Sequence, residues 1–173
     1  MNQNNSPMHT LTVDIGGSGV KVMVLDEVGN PITQRSRLET PQPPKPDAII
    51  HAIASLALGQ GNFERVSVGF PGVVRNGITY TAVNLDPDWQ GFDLATTLSQ
   101  RLGKPVRVAN DADVQGLGAI TGKGVELTIT LGTGFGSALF VDGKLVPNLE
   151  MGHHPFRRSE EHTSELQSRQ YLV

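Results

Sequence analysis

Asp111 stands just past a short apolar stretch, in the run Asn110-Asp111-Ala112-Asp113. Open α/β sheets put their ligands at the carboxyl ends of strands. A carboxylate there can take the proton of an attacking hydroxyl while a phosphoryl group is transferred. Asn110 both donates and accepts hydrogen bonds, which suits a neutral polyol. Glu150 and His153, in Glu150-Met151-Gly152-His153, offer an acceptor and a mixed donor–acceptor to the same kind of ligand. A phosphate has two candidate cradles. The first is Val13-Asp14-Ile15-Gly16-Gly17-Ser18-Gly19-Val20-Lys21. Glycines let the backbone come close, and successive N–H groups in such a turn form an anion nest. Asp14 is placed there to hold a cation through water. The second is Gly132-Thr133-Gly134-Phe135-Gly136, again a glycine turn with a hydroxyl residue between strands.

Each of these residues also has a plainer reading. A Gly-Gly-Ser-Gly turn can be a hairpin and nothing more. Asp111 can be a helix N-cap, His153-His154 a surface pair, and Asn84 and Trp89 ordinary loop and core residues. Neither glycine turn is a P-loop or a dinucleotide fingerprint, because a strand and not a helix follows each. Two such turns facing each other across a cleft could share one phosphate chain, which is more specific than either alone.

The elements that must position these groups are legible from periodicity and punctuation. Leu11–Ile15 and Val20–Leu25 read as a hairpin, and Ile32–Glu39 as a third strand. The proline-rich Thr40–Pro46 cannot join a ladder. Asp47 is expected to cap a helix with Ile49, Ile53 and Leu56 on one face, ending at Gly59. Arg65–Phe70 reads as a strand and Val73–Ala82 as a hairpin turning at Asn76-Gly77. Asp93 caps a helix carrying Leu94, Leu98 and Leu102, which closes at Gly103. Pro105–Ala109 is a strand, Asn110 opens a small-residue helix, and Val125–Leu131 and Ser137–Val141 are strands. The order is α/β.

The 173 residues suit one domain or a domain and part of another. A net charge of −3 and a pI near 5.9 argue against a nucleic-acid or membrane-surface partner. Without cysteine there is no disulfide, no Cys-ligated zinc and no thiol nucleophile. The polar start is no signal peptide, no apolar run spans a bilayer, and a cytoplasmic location is expected. Residues 1–8 are expected to be disordered. From Arg158 the apolar periodicity stops; 158–173 resembles one reading frame of a common sequencing-adapter oligonucleotide and is expected to be a read-through scar.

In order, Asp14–Lys21, Phe70-Pro71-Gly72-Val73-Val74, Asn110–Asp113, Leu131–Ser137 and Glu150–His153 resemble the signatures of the ROK sugar kinases. Thr40-Pro41-Gln42-Pro43, Pro71–Val74, the Asn84–Trp89 loop and Leu145-Val146-Pro147-Asn148 are similar to the polyphosphate glucokinase branch. The resemblance runs from His9 to Arg157. It implies an actin/hexokinase-like (ribonuclease H-like) ATPase fold, with a first domain over 9–123 and the start of a second over 124–157. It implies transfer of a phosphoryl group from polyphosphate or ATP to the 6-hydroxyl of glucose. Asp111 would be the general base. Asn84, Asn110, Asp111, Glu150 and His153 would bind sugar hydroxyls, with the Gly72 backbone nearby. Asp14 would help hold Mg²⁺, and Gly16, Gly17, Ser18, Thr133 and Gly134 would cradle donor phosphates. Lys21 would be a strand residue only. The His- and Cys-rich motif of many ROK proteins does not follow Glu150–His153, so no zinc is expected.

Two departures from the pattern are the rest of the second domain and the terminal helix that packs on the first. The chain is therefore expected to be a fragment with little kinase activity, from a full-length homodimer. The competing readings are a sugar-sensing regulator, which would need a DNA-binding segment ahead of the first strand, and a non-catalytic sugar-binding module.

Overall fold

The computed structural model describes residues 7–82, 84–131, 135–147, 149 and 151. The expectations for residues 1–6, Thr133, Gly134, Glu150, His153 and the 158–173 tail lie outside these.

Strands β1 (Thr10–Ile15) and β2 (Val20–Leu25) form the expected antiparallel hairpin. Their alternation is strict. Leu11, Val13, Ile15, Val20, Val22 and Val24 are buried, while Thr12, Asp14, Lys21 and Met23 face the other way. The third strand is shorter than the expected Ile32–Glu39, because β3 spans only Ser36–Leu38. The Thr33 hydroxyl accepts the Val24 N–H at 2.9 Å, so a side chain takes the place of a ladder bond until Ser36.

Helix α1 (Pro46–Leu58) begins two residues earlier than an Asp47 cap requires. Lys45 occupies the N-cap without a side-chain bond, and Pro46 opens the helix, where its missing N–H costs nothing. Asp47 sits in the first turn, favourable to the helix dipole. Next come β4 (Arg65–Phe70), β5 (Val74–Arg75) and β6 (Ile78–Thr79). The β5–β6 turn is at Asn76-Gly77 as expected, with φ of 52° and 82°. A 3₁₀ turn at Pro87–Trp89 leads to β7 (Phe92–Asp93) and α2 (Leu94–Leu102). Asp93 caps α2 by accepting the Thr96 N–H at 3.0 Å, and Gly103 closes it at φ 64°. Then come β8 (Val106–Asn110), α3 (Asp111–Leu117), β9 (Val125–Leu131), β10 (Phe135–Val141) and β11 (Lys144–Val146), the last of the elements among the described residues.

The main sheet has the order β3-β2-β1-β4-β8, with β1, β4 and β8 parallel. One face is covered by α1 and α2, whose Ile49, Ile53, Leu94 and Leu98 join the buried strand residues in one core. Trp89 is fully buried in that core, 5.0 Å from the Phe70 ring, and its indole N–H donates to Pro44 O at 2.8 Å. The loop after Asn84 is thus clamped to the sheet.

The second sheet, β11-β10-β9, meets the first through α3. A Cβ at Gly116 would overlap the Thr128 hydroxyl and lie 2.9 Å from Phe140 Cε2 and 3.0 Å from Ala138 Cβ. The small residues of α3 are what allow the second sheet this close.

Candidate active site

Asn110, the last residue of β8, takes the N-cap of α3. Its side-chain oxygen accepts the N–H groups of Ala112 at 2.8 Å and Asp113 at 3.2 Å. Its Nδ2 donates to Gly72 O at 3.2 Å. One buried amide therefore joins a strand end, a helix start and the Pro71-Gly72 turn. A side chain at Gly72 is excluded, because its Cβ would overlap Thr81 O.

With the cap supplied by Asn110, Asp111 becomes the first residue of α3 and is not itself the cap. Its Oδ1 accepts the N–H of Ala112 at 2.8 Å. Half-burial pushes its carboxyl above the ordinary carboxylate range; the Ala112 N–H opposes this, and the Asp14 charge adds to it. Asp111 and Asp14 line one cavity of about 270 Å³, together with Lys21, Arg35 and Gln115. Gly69 lies between them in register, paired with Asp14 on one side and Ala109 on the other. A Cβ there would sit 3.4 Å from Asp111 Cα. The missing side chain leaves the two carboxylates facing the same space. A larger groove of about 440 Å³ lies between α1 and α2, past Asp47, His51 and Arg101, and holds none of the candidate residues.

The glycine turn is held from behind. Gly16 N–H bonds Gly19 O at 3.0 Å, Thr40 Oγ1 donates to Gly16 O at 2.5 Å, and Arg37 Nη2 donates to Ser18 O at 2.8 Å. Asn84 sits against it: a Cβ at Gly17 would be 3.3 Å from Asn84 Cβ. The structure thus brings together Asp14, the Gly16-Gly17-Ser18 turn, Asn84 and, around Asn110, Gly72 and Asp111. Met151 N–H donates to Ser137 Oγ on β10 at 3.1 Å. Thr133, Gly134, Glu150 and His153 are outside the described residues.

Lys21 is more than a strand residue. Its Nζ is 2.6 Å from Asp14 Oδ2, across the hairpin. The signal was in the sequence, since a four-residue turn from Gly16 to Gly19 places Asp14 opposite Lys21. Gly69, Arg35, Arg37 and Thr40 carried no such local signal.

Residues 10–164 match the ROK family. The chain belongs to the ROK family. Over 153 residues it is 40% identical to the polyphosphate glucokinase of Mycobacterium tuberculosis, an alignment covering 84% of this chain and 58% of that protein. It superposes on the inorganic polyphosphate/ATP-glucomannokinase of Arthrobacter sp. strain KM with a TM-score of 0.78 at 40% identity, over 87% of this chain and 64% of that one. The ROK family glucokinase of Streptomyces griseus, solved with glucose and AMPPNP, gives a TM-score of 0.71 at 32% identity, over 79% and 46%. This ROK chain spans less than two thirds of each of these relatives. Its fold is the actin/hexokinase-like α/β fold of the ROK sugar kinases.

Proposed function

We propose that the complete protein is a glucokinase, moving a phosphoryl group from polyphosphate or ATP to the 6-hydroxyl of glucose. The observation that carries this is Asp111, a half-buried carboxylate of raised proton affinity at a strand end, sharing a cavity with Asp14 beside a glycine turn. In the step, the sugar oxygen bonds to the terminal phosphorus and the bond from that phosphorus to the donor's bridging oxygen breaks. The hydroxyl proton passes to Asp111, and the shortened donor leaves with the bonding pair. Asn84, Asn110, Glu150 and His153 orient the sugar with Asp111, beside the Gly72 backbone. Gly16, Gly17, Ser18, Thr133 and Gly134 hold the phosphates. Asn110 contributes foremost by fixing Asp111, since its oxygen is committed to the cap.

The donor set fits Mg²⁺. Among the described residues no group of three acidic or histidine side chains converges. Asp14 and Asp111 nevertheless face one cavity, and magnesium commonly takes one or two carboxylates and fills its shell with water and phosphate oxygens. Asp14 would hold it, exchanging part of its contact with Lys21. The ion would supply charge neutralisation on the phosphates. No described helix is long and apolar enough to cross a membrane, and we place the kinase in the cytoplasm as a homodimer. This chain by itself is proposed to turn over little.

Asp111→Asn in the complete protein tests the reading. Turnover should fall by about 10²–10⁴-fold while glucose binding is largely kept. Turnover equal to the parent would overturn the assignment of Asp111 and leave a sugar-binding protein.

A further inference from the structure

Three cations lie along one edge of the main sheet: Arg37 reaches the glycine turn, Lys21 stands opposite it, and Arg35 lines the neighbouring cavity. Lys21 and Arg37 are paired in register across β2 and β3, so their side chains leave the same face. Arg37 lies over the turn: its Nη2 reaches Ser18 O at 2.8 Å, and a Cβ at Gly19 would come within 2.6 Å of its Nε. Lys21 holds Asp14 with one of its three N–H donors. Arg35 is exposed, has no ion pair or hydrogen bond among the described residues, and lines the cavity shared by Asp14, Lys21 and Asp111. In a chain of net charge −3, three cations stand here beside two carboxylates, Asp14 and Asp111, of which Asp14 is ion-paired with Lys21.

We propose that Lys21, Arg35 and Arg37 form a cationic track that binds the distal phosphates of a linear inorganic polyphosphate, beyond the phosphoryl group that is transferred. The proposal rests on the reading of the glycine turn as the phosphate cradle. It adds the donor's path and its class. A triphosphate seated in the turn spends its charge there, whereas a longer chain continues along the edge and meets Arg37, Lys21 and Arg35 together. Arginine forks suit phosphate oxygens, and Lys21 can bridge Asp14 and a phosphate at once.

The test uses the chain as it is, titrated calorimetrically with a polyphosphate of uniform length, a few tens of phosphates, and separately with ATP, over a series of salt concentrations. The parent should bind polyphosphate with steep salt dependence. R35Q combined with R37Q should weaken polyphosphate at least about tenfold and flatten the log–log salt slope by about two, one per lost contact. ATP affinity should change less than about twofold. Because Arg37 also braces the turn, R37K is included: it keeps the charge and should recover most of the affinity. R35Q alone removes an unpaired exposed side chain and should cost about threefold. No polyphosphate binding by the parent, an unchanged slope in the double variant, or equal weakening of ATP would overturn the track. Binding is read without turnover, so the two readings fail separately. Polyphosphate bound along the track by a complete protein that phosphorylates no sugar would sink only the kinase reading. An active kinase whose polyphosphate KM ignores both arginines would sink only the track.

Discussion

Asp111 sits under opposing influences, and their balance can be measured. Burial and the Asp14 charge favour its neutral form, while the Ala112 N–H favours the anion. The folded chain therefore keeps this proton to higher pH than the unfolded chain does. Stability from the neutral acid is complete below the ordinary carboxyl value of 3.8 and is lost as pH rises through the raised folded value. Asp111→Asn should thus melt higher than the parent at neutral pH, with the advantage shrinking as pH falls toward 3.8; an advantage independent of pH would contradict the assigned cause. In Asp14→Asn, carboxyl NMR should find the Asp111 titration moved downward, toward the ordinary value. For a base in the reaction, the same upward displacement puts the acid limb of turnover above an unperturbed aspartate.

Helix α3 is short, and its placement depends on its ends and its small residues. Asn110 satisfies two of the N–H groups that open it and ties it to Gly72. Asn110→Ala should cost about 1–2 kcal/mol in chemical denaturation, the usual worth of such a cap, whereas Asn110→Asp should recover most of it. Gly69 sets the approach of the same helix from the sheet side. An alanine there makes ordinary contact with Asp111, at 3.4 Å from its Cα. Gly69→Val adds two methyls to that gap and should cost about 1–3 kcal/mol through overpacking. It should also separate Asp14 from Asp111, which the Asp111 titration would register. If Gly69→Val melts like the parent with the titration unmoved, Gly69 does not set the spacing of the two carboxylates.

Of the three sheets among the described residues, the main sheet and the β11-β10-β9 sheet meet on helix α3, and they are not equally covered. The main sheet has α1 and α2 on one face and α3 on the other. On β9 the polar residues turn toward α3, while Val125, Leu127, Ile129 and Leu131 are 73%, 47%, 52% and 75% exposed. A row of apolar side chains this open on one strand is a sticky surface. The chain by itself should bind an environment-sensitive apolar dye and self-associate at high concentration. Leu127→Lys combined with Ile129→Lys should suppress both without lowering the melting temperature appreciably, because neither side chain belongs to the main core. Undiminished dye binding in that variant would place the sticky surface elsewhere.

Local sterics and alternation made several features legible in the order of residues. The β1–β2 hairpin, the Asn76-Gly77 turn, and the cap and stop of α2 at Asp93 and Gly103 all follow from short-range backbone preferences. The ordered motif words were enough to identify the family and its fold. Where local chemistry offered two equivalent solutions the expectation slipped, as when Pro46 in place of Asp47 opened α1 and a Thr33 hydroxyl displaced part of β3. The cavity itself was beyond reach. Asp14 meets Asp111 across Gly69, Asn84 lies against Gly17, Arg37 reaches the turn and Arg35 lines the cavity because strands far apart in the chain pair in one register. That register is set by the burial of a whole sheet face against α1 and α2, a sum over many side chains that no single stretch contains.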